Sequence, residues 1–540
     1  MLRKLLQSRL VRAAAILLLL IGAFNAALGS AAAAQSARLD GVALGYGSHL
    51  KAGMGDFSAT LQAQLDSGVT WVREEIPWKL VEPKQDEFRW QFESGGVYYD
   101  FDTLMQAYQQ NDIKVLLVLN GGPGYLDSNW PDKPVDSAVL LDRWRVFVAT
   151  VAARYGSMVD AWQIGFEPNR PIQWGKTLFP NEKKATPSPD PELYTRMLIE
   201  GYNILKGLDS NDLVVLGGLS TPLDGECALP AADYLTQLWA AGAWPYFDVI
   251  ALDLFPGGRA PEEPWAFKAK DGCASGYIAA DLTGQVDALR AFVEKAGGKP
   301  LWVTALGWRE DWLEDAAKSK HSQVELVQAD YLVRGYVALL SLPEVERVFW
   351  FSQLENPRIS GFKLAGDGRQ ALANLSHFLK DARAIGQVQG QQYGQQPASE
   401  VFEYRFRSRG ETIIYIWRAE GGLETRPVIL NGLDGMKVQV FPADAIDLDT
   451  PAFELEVNAS GNALLDVNER PLVLVARPSS LVSSLSGKVG DWLYNLGDSA
   501  RAEAAGWLKR QKRLALAHLM NWLRGIQEEI LGSLNFQLMR

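Results

Sequence analysis

Histidine and cysteine are scarce in this chain, which holds four histidines and two cysteines in 540 residues. His49, His321, His377 and His518 show no zinc-ligand spacing, and no HExxH occurs. No metal or other cofactor is expected. Basic residues are in deficit: 53 Lys and Arg against 64 Asp and Glu leave a net charge of −11 and a pI near 5.1. That balance argues against a nucleic-acid partner. A dinucleotide fingerprint is missing as well. Gly121-Gly122-Pro123-Gly124 carries a proline and the wrong spacing, and it reads as a loop. The apolar run 13–24 is too short to span a bilayer comfortably. It follows Arg3, Lys4, Arg9 and Arg12 and precedes the small residues 31–34. Residues 1–34 therefore read as a secretory signal, with an uncleaved anchor as the alternative. The expected location is secreted or cell-surface. Export permits disulfides. Cys227 and Cys273 fall in predicted loops, and both one bridge and two free thiols stay open, because sequence does not give their separation.

What is present is a globular composition, 47% hydrophobic and 22% charged. From 41 to 384, short apolar strands alternate with longer amphipathic helices. The strands are expected at 42–46, 71–74, 114–119, 159–164, 213–217, 247–252, 301–304 and 345–351. Alternation of this kind implies parallel pairing, and eight units imply a (β/α)8 TIM barrel. Residues 385–400, rich in Gln and Gly with no apolar period, read as a linker. From 401 to 477, strand-like runs recur at short spacing with turn pairs such as Asn431-Gly432 and Asp434-Gly435, which predicts a small all-β sandwich. Residues 478–540 form a helical tail. Trp492, Leu493, Leu496, Trp507, Leu508, Trp522 and Leu523 recur at helical spacing, around a basic centre of Lys509, Arg510, Lys512 and Arg513. The tail reads either as a hairpin packed on the protein or a partner, or as an amphipathic helix on a membrane surface.

In a (β/α)8 barrel the functional groups stand at the carboxyl ends of the strands. There the sequence places Arg73 with Trp78, Asn120, Glu167 with Asn169 and Trp174, Asp253, Trp308 with Glu310, and Glu355. Carboxylates, amides and indoles with few cations suit a sugar site. Carboxylates move protons and stabilise an oxocarbenium ion, while flat indoles pack on sugar faces. Glu167 is the focus, because a carboxylate at the tip of a buried strand is costly unless something pairs it or uses it.

The segments WVREEIPWKLVEPKQDEFRW (71–90), WQIGFEPN (162–169), FDVIALDLFP (247–256) and LWVTALGW (301–308) resemble clan A glycoside hydrolases. The resemblance covers 41–384 and is nearest to β-xylosidase-like and iduronidase-like enzymes and to cellulase-like barrels. It implies that Glu167 is the general acid/base and that Arg73 braces a nucleophile. Three positions depart from the pattern. Phe166 replaces an asparagine, Asp253-Leu254-Phe255 replaces His-x-Tyr, and Ala305 occupies the nucleophile's place. A methyl group forms no glycosyl ester, and retention needs two carboxyl groups about 5 Å apart. Four readings follow: a carbohydrate-binding pseudoenzyme; an inverting hydrolase in which Asp253, Glu310 or Glu355 holds a water; a structural Glu167 paired with Arg73 or a lysine; and a surface scaffold.

Overall fold

The computed structural model describes residues 43–47, 57–94, 97–126, 137–170, 175–176, 188–221, 228–266, 279–295, 297–320, 322–351, 360–364, 366–380, 382–392, 397–419 and 422–479. The signal segment, the helical tail beyond 479, Cys227, Cys273, Trp174 and Glu355 lie outside the described residues.

Eight parallel strands close into a barrel: Ala43–Gly47 (β1), Trp71–Pro77 (β2), Lys114–Asn120 (β3), Ala161–Phe166 (β4), Leu213–Ser220 (β5), Ile250–Leu254 (β6), Leu301–Leu306 (β7) and Val345–Phe351 (β8). Each pairs with its sequence neighbours, and β1 pairs with both β8 and β2. The surrounding helices include Pro191–Leu208 (α1), Ala231–Ala240 (α2), Leu282–Lys295 (α3), Glu310–Ser319 (α4), Val324–Leu340 (α5) and Gly366–Leu379 (α6). The strands read as apolar runs because both of their faces are covered. In β3 every residue from Val115 to Leu119 is buried.

Strand alternation divides the barrel interior into layers. Near the amino ends, Trp71, Leu116, Ala161, Val215, Ala251, Trp302 and Phe349 form an apolar floor. The Arg347 guanidinium lies over the rings of Trp71 and Trp302, at 4.3 and 4.7 Å. Two residues further along the same strands the interior turns polar, with Arg73, Gln163, Asp253 and Thr304.

After the barrel, one antiparallel sheet folds over itself into a sandwich. Its strands are Arg383–Gln392 (β9), Pro397–Ser408 (β10), Glu411–Arg418 (β11), Arg426–Leu430 (β12), Met436–Pro442 (β13), Phe453–Leu455 (β14), Ala463–Val467 (β15) and Leu472–Pro478 (β16), in the order β14-β13-β16-β11-β10-β9-β12-β15. The expected linker 385–400 is therefore corrected. Its first part is β9, paired antiparallel with β10 from Arg383↔Arg407 onward. The Gln-rich stretch has no apolar period because backbone pairing, rather than its own side chains, holds it to a strand that carries Phe402, Tyr404 and Phe406.

Alternation in the sandwich feeds two cores. Ile413, Tyr415, Trp417, Phe441, Val473 and Val475 join the large core of the barrel helices. Their neighbours Ile414, Ile416, Val438, Val440 and Leu474 meet Val428, Leu430, Leu465 and Val467 in a core internal to the sandwich.

Polar contacts cross between barrel and sandwich at the same place. Arg334 of α5 is buried and donates from Nε to Glu262 Oε1 at 3.0 Å, and Trp417 Nε1 donates to the same oxygen at 2.7 Å. Asn374 Nδ2 donates to the carbonyls of Ala443 and Ala445, both at 2.9 Å. Removing one partner of a buried pair strands the other charge. Arg334→Met is therefore expected to lower unfolding stability by about 3–5 kcal/mol in chemical denaturation. Adding Glu262→Leu should restore most of the loss. A single-variant effect below about 1 kcal/mol would show that the pair carries little.

Candidate functional site

The carboxyl end of β4 is shaped by an interruption in its pairing. Ile164 aligns with Leu216 and Phe166 with Gly218, but Gly165 and Gly217 do not pair. The hydroxyl of Tyr194, from α1, fills the gap. It donates to the Ile164 carbonyl at 2.8 Å and accepts from the Gly217 amide at 2.7 Å. Helix α1 is set for this by Asp190, whose carboxylate accepts from the Leu193 amide at 3.0 Å, and by Pro191 in the first turn. Gly217 has no room for a side chain, since a Cβ would lie 2.9 Å from both the Ile164 carbonyl and Pro168.

Beyond the gap the chain turns left-handed at Gly165 (φ +76°) and at Glu167 (φ +44°). A glutamate in that region costs on the order of 1 kcal/mol and persists only where its surroundings hold it. Asn169 does part of that holding. Its Nδ2 donates to the carbonyls of Ser220 and Leu229, both at 2.8 Å, and its Oδ1 accepts from the Ser220 amide at 2.9 Å. Asn169 is therefore a buried brace between the β4 and β5 ends, which corrects its expected role in binding substrate.

Glu167 is 2% exposed. Its Oε2 accepts from Arg170 Nη1 at 2.6 Å. The structural partner is thus Arg170, one turn further along the chain, and not Arg73 or a lysine. Burial pushes the Glu167 carboxyl up to about 7; the nearby Asp253 adds to the rise, and Arg170 and Ser220 oppose it.

Asp253 is fully buried, and its Oδ1 accepts from Thr304 Oγ1 at 2.6 Å. Its Oδ2 has no hydrogen-bond partner. The carboxyl rests on Gly218, where a Cβ would fall 2.3 Å from Oδ1. Burial raises its pKa against the pull of Arg73, Thr304 and Arg170. Arg73 Nε donates to Gln163 Oε1 at 3.0 Å, its guanidinium lies 5.1 Å from the Phe166 ring centre, and its Nη2 has no hydrogen-bond partner. Gln163 Nε2 in turn donates to Thr304 Oγ1 at 3.3 Å. The result is a group of two buried carboxylates with the buried Arg73 and the partly exposed Arg170. Higher in the barrel, Asn120 Nδ2 donates to Glu75 Oε1 at 2.8 Å.

The other side of the barrel end is apolar. Ala305 aligns with Asp253 across β6 and β7 and is fully buried. It packs with Phe351 and Phe362, with Phe255 and Trp312 alongside. These rings meet edge to face: Phe351 and Phe362 are 5.1 Å apart at 84°, Phe255 and Phe351 5.3 Å apart at 83°.

Two expected sugar platforms are core residues instead. Trp78 is buried behind β2, stacked on Phe147 at 4.8 Å, and donates from Nε1 to Glu82 at 2.6 Å. Trp308 is buried against Trp350 and Tyr331 and donates to the Arg259 carbonyl at 2.8 Å. An indole just past a strand serves equally well to plug the space behind the barrel. Glu310 opens α4, and its charged neighbours are Glu325, Asp311 and Lys363 rather than Glu167. Arg170, Ser220, Gln163 and Thr304 were not anticipated. The third position after Glu167 was a signal for Arg170, and the pair Gly217-Gly218 was a signal for close approach.

No protein-family model matches the chain, and no curated protein matches it. Solved structures do. A family 39 glycoside hydrolase from the gut symbiont Bacteroides cellulosilyticus WH2 is similar at 18% identity and a TM-score of 0.59, over 81% of each chain. A conserved exported protein from Bacteroides fragilis is similar at 11% identity and a TM-score of 0.50, over 81% of this chain and 97% of that one. The shared property is the glycoside-hydrolase-like barrel fold.

The raised Glu167 carboxyl has a consequence for stability. Its folded pKa of about 7 lies above the ordinary carboxylate value, so its stabilising contribution is complete below pH 4.5 and is lost as pH rises through 7. Replacing it by the uncharged amide removes that dependence. Relative to wild type, Glu167→Gln should gain roughly 3 kcal/mol between pH 4.5 and pH 8, read from denaturation midpoints. Parallel curves would mean that Glu167 titrates as an ordinary carboxylate.

Proposed function

We propose that this protein is an exported barrel that binds carbohydrate at the carboxyl end of its strands and does not cleave it. One observation carries the loss of cleavage: Ala305 lies under Phe351 and Phe362, so rings occupy the side from which a nucleophile would act. Carbohydrate as the ligand is supported by the fold shared with a glycoside hydrolase and by the carboxylates Glu167 and Asp253 at the strand ends.

A second reading is inverting hydrolysis, with Glu167 as acid and Asp253 holding the water. What favours it is the free Oδ2 of Asp253 together with a Glu167 carboxyl raised to about 7.

The two readings separate in one experiment. Oligosaccharides retained on a glycan array are incubated with the protein and the products are resolved by chromatography. Binding without product is expected, and Glu167→Gln should leave the array pattern in place. Product that disappears in Glu167→Gln would establish hydrolysis, and an array with no bound glycan would remove carbohydrate as the ligand. Export is tested separately by sequencing the amino terminus of the protein as cells release it. The expected start lies just after residues 31–34, and retention of Met1 on a cell-associated protein would favour an anchor.

A further inference from the structure

A series of aromatic rings leads out of the core at the end of the barrel opposite Glu167. It begins at Phe247, buried just before β6. Trp244 meets Phe247 edge to face at 5.2 Å and 77°, and meets Phe292 of α3 at 5.8 Å and 77°. Trp239, in the last turn of α2, meets Trp244 at 5.3 Å and 67°. The series ends there, with Trp239 49% exposed. Lys299 stiffens the inner rings. Its ammonium lies 4.7 Å from the Phe247 centroid and 5.6 Å from that of Trp244, and donates to the Phe247 carbonyl at 2.6 Å. Trp239 is thus an indole held at a fixed angle by a packed neighbour while about half of its surface faces outward.

The size of the exposed patch selects its occupant. Half an indole side chain presents on the order of 100 Å², whereas a stable protein partner needs about 800 Å² per side. The residues around it are polar, small or turn-forming: Asp233, Thr236, Gln237, Ala240, Ala241, Gly242 and Pro245 are exposed. Thr236 sits one helical turn before Trp239 on the same face. Its hydroxyl donates to the Ala232 carbonyl at 2.8 Å and keeps lone pairs to accept with. A flat, pre-set apolar face of ring size beside polar groups matches a ligand with one apolar face and hydroxyls at its edge.

We propose that Trp239, with Trp244 behind it and Thr236 beside it, is a second carbohydrate-binding site, which stacks one neutral sugar ring of a polysaccharide. Carbohydrate as the ligand class rests on the reading given above for the Glu167 end. The site itself is separate and lies at the other end of the barrel, so the two fail independently. A chain held at Trp239 would keep the protein on a polymer whatever the Glu167 end holds.

The test is electrophoresis of the full chain through native gels that contain soluble xylan, mixed-linkage β-glucan or galactomannan. The wild type should be retarded by at least one polymer. Trp239→Ala should lose at least fivefold in affinity for it, and Trp239→Phe should keep part of it. Binding of short oligosaccharides by calorimetry is expected to be the same in wild type and Trp239→Ala. Thermal unfolding checks that the alanine variant is folded, as an exposed site at a helix end predicts.

Three results would overturn the proposal: no retardation of the wild type in any gel, equal retardation of Trp239→Ala, or a wild-type dimer in sedimentation that Trp239→Ala converts to monomer. Trp239-dependent retardation without oligosaccharide binding would instead sink the reading of the Glu167 end and leave this site standing.

Discussion

The contact between Arg170 and Glu167 is the interaction on which the upper end of the barrel depends. A carboxylate buried among apolar strands is tolerable only when a cation or a donor accompanies it. Here the cation comes from the same turn, three residues away, so the pair forms as the chain leaves β4. Everything nearby accommodates that turn. Gly165 and Glu167 adopt left-handed backbone, the Tyr194 hydroxyl takes up the hydrogen bonds that β4 and β5 fail to make, and Asn169 ties the turn to Ser220 and Leu229. The glycines of β5 complete the arrangement by leaving space for Pro168 and for the Asp253 carboxyl.

The interior is graded along its axis in the same way. An apolar floor of Trp71, Trp302 and Phe349 gives way to the polar layer of Arg73, Gln163, Asp253 and Thr304. Above this layer the barrel end is divided between charge on the β2, β4 and β6 side and phenyl rings on the β7 and β8 side. Ala305 marks the division. Its methyl group faces rings, where the resemblance would place a second carboxylate.

The barrel strands were legible because each is an apolar run ended by a turn, and closure follows from eight repeats of that pattern. Glu167 and Asp253 were legible as carboxylates at strand ends. The pairing within the site was not. Arg170 reaches Glu167 only because the backbone turns left-handed there, and an apolar-to-polar pattern carries no sign of φ. Asn169 looked like a ligand group, yet its amide is spent on backbone atoms that come from 51 and 60 residues away. Trp78 and Trp308 show the same limit for aromatics, because position after a strand does not say which way an indole turns. The Gln-rich stretch at β9 was misread because a strand stabilised by its neighbour's side chains has no period of its own.

The two cores of the sandwich bear on how the chain can be divided. Every second residue of β11 and β16 belongs to the barrel's core and the residues between belong to the sandwich's own. A cut at the start of β9 would therefore not release two finished modules. It would leave Tyr415, Trp417, Phe441 and Val473 facing water on one piece and the helices they cover bare on the other. The sandwich serves as a structural wall of the barrel, so loops at the carboxyl ends of the strands are freer to vary than the seam that joins the two parts.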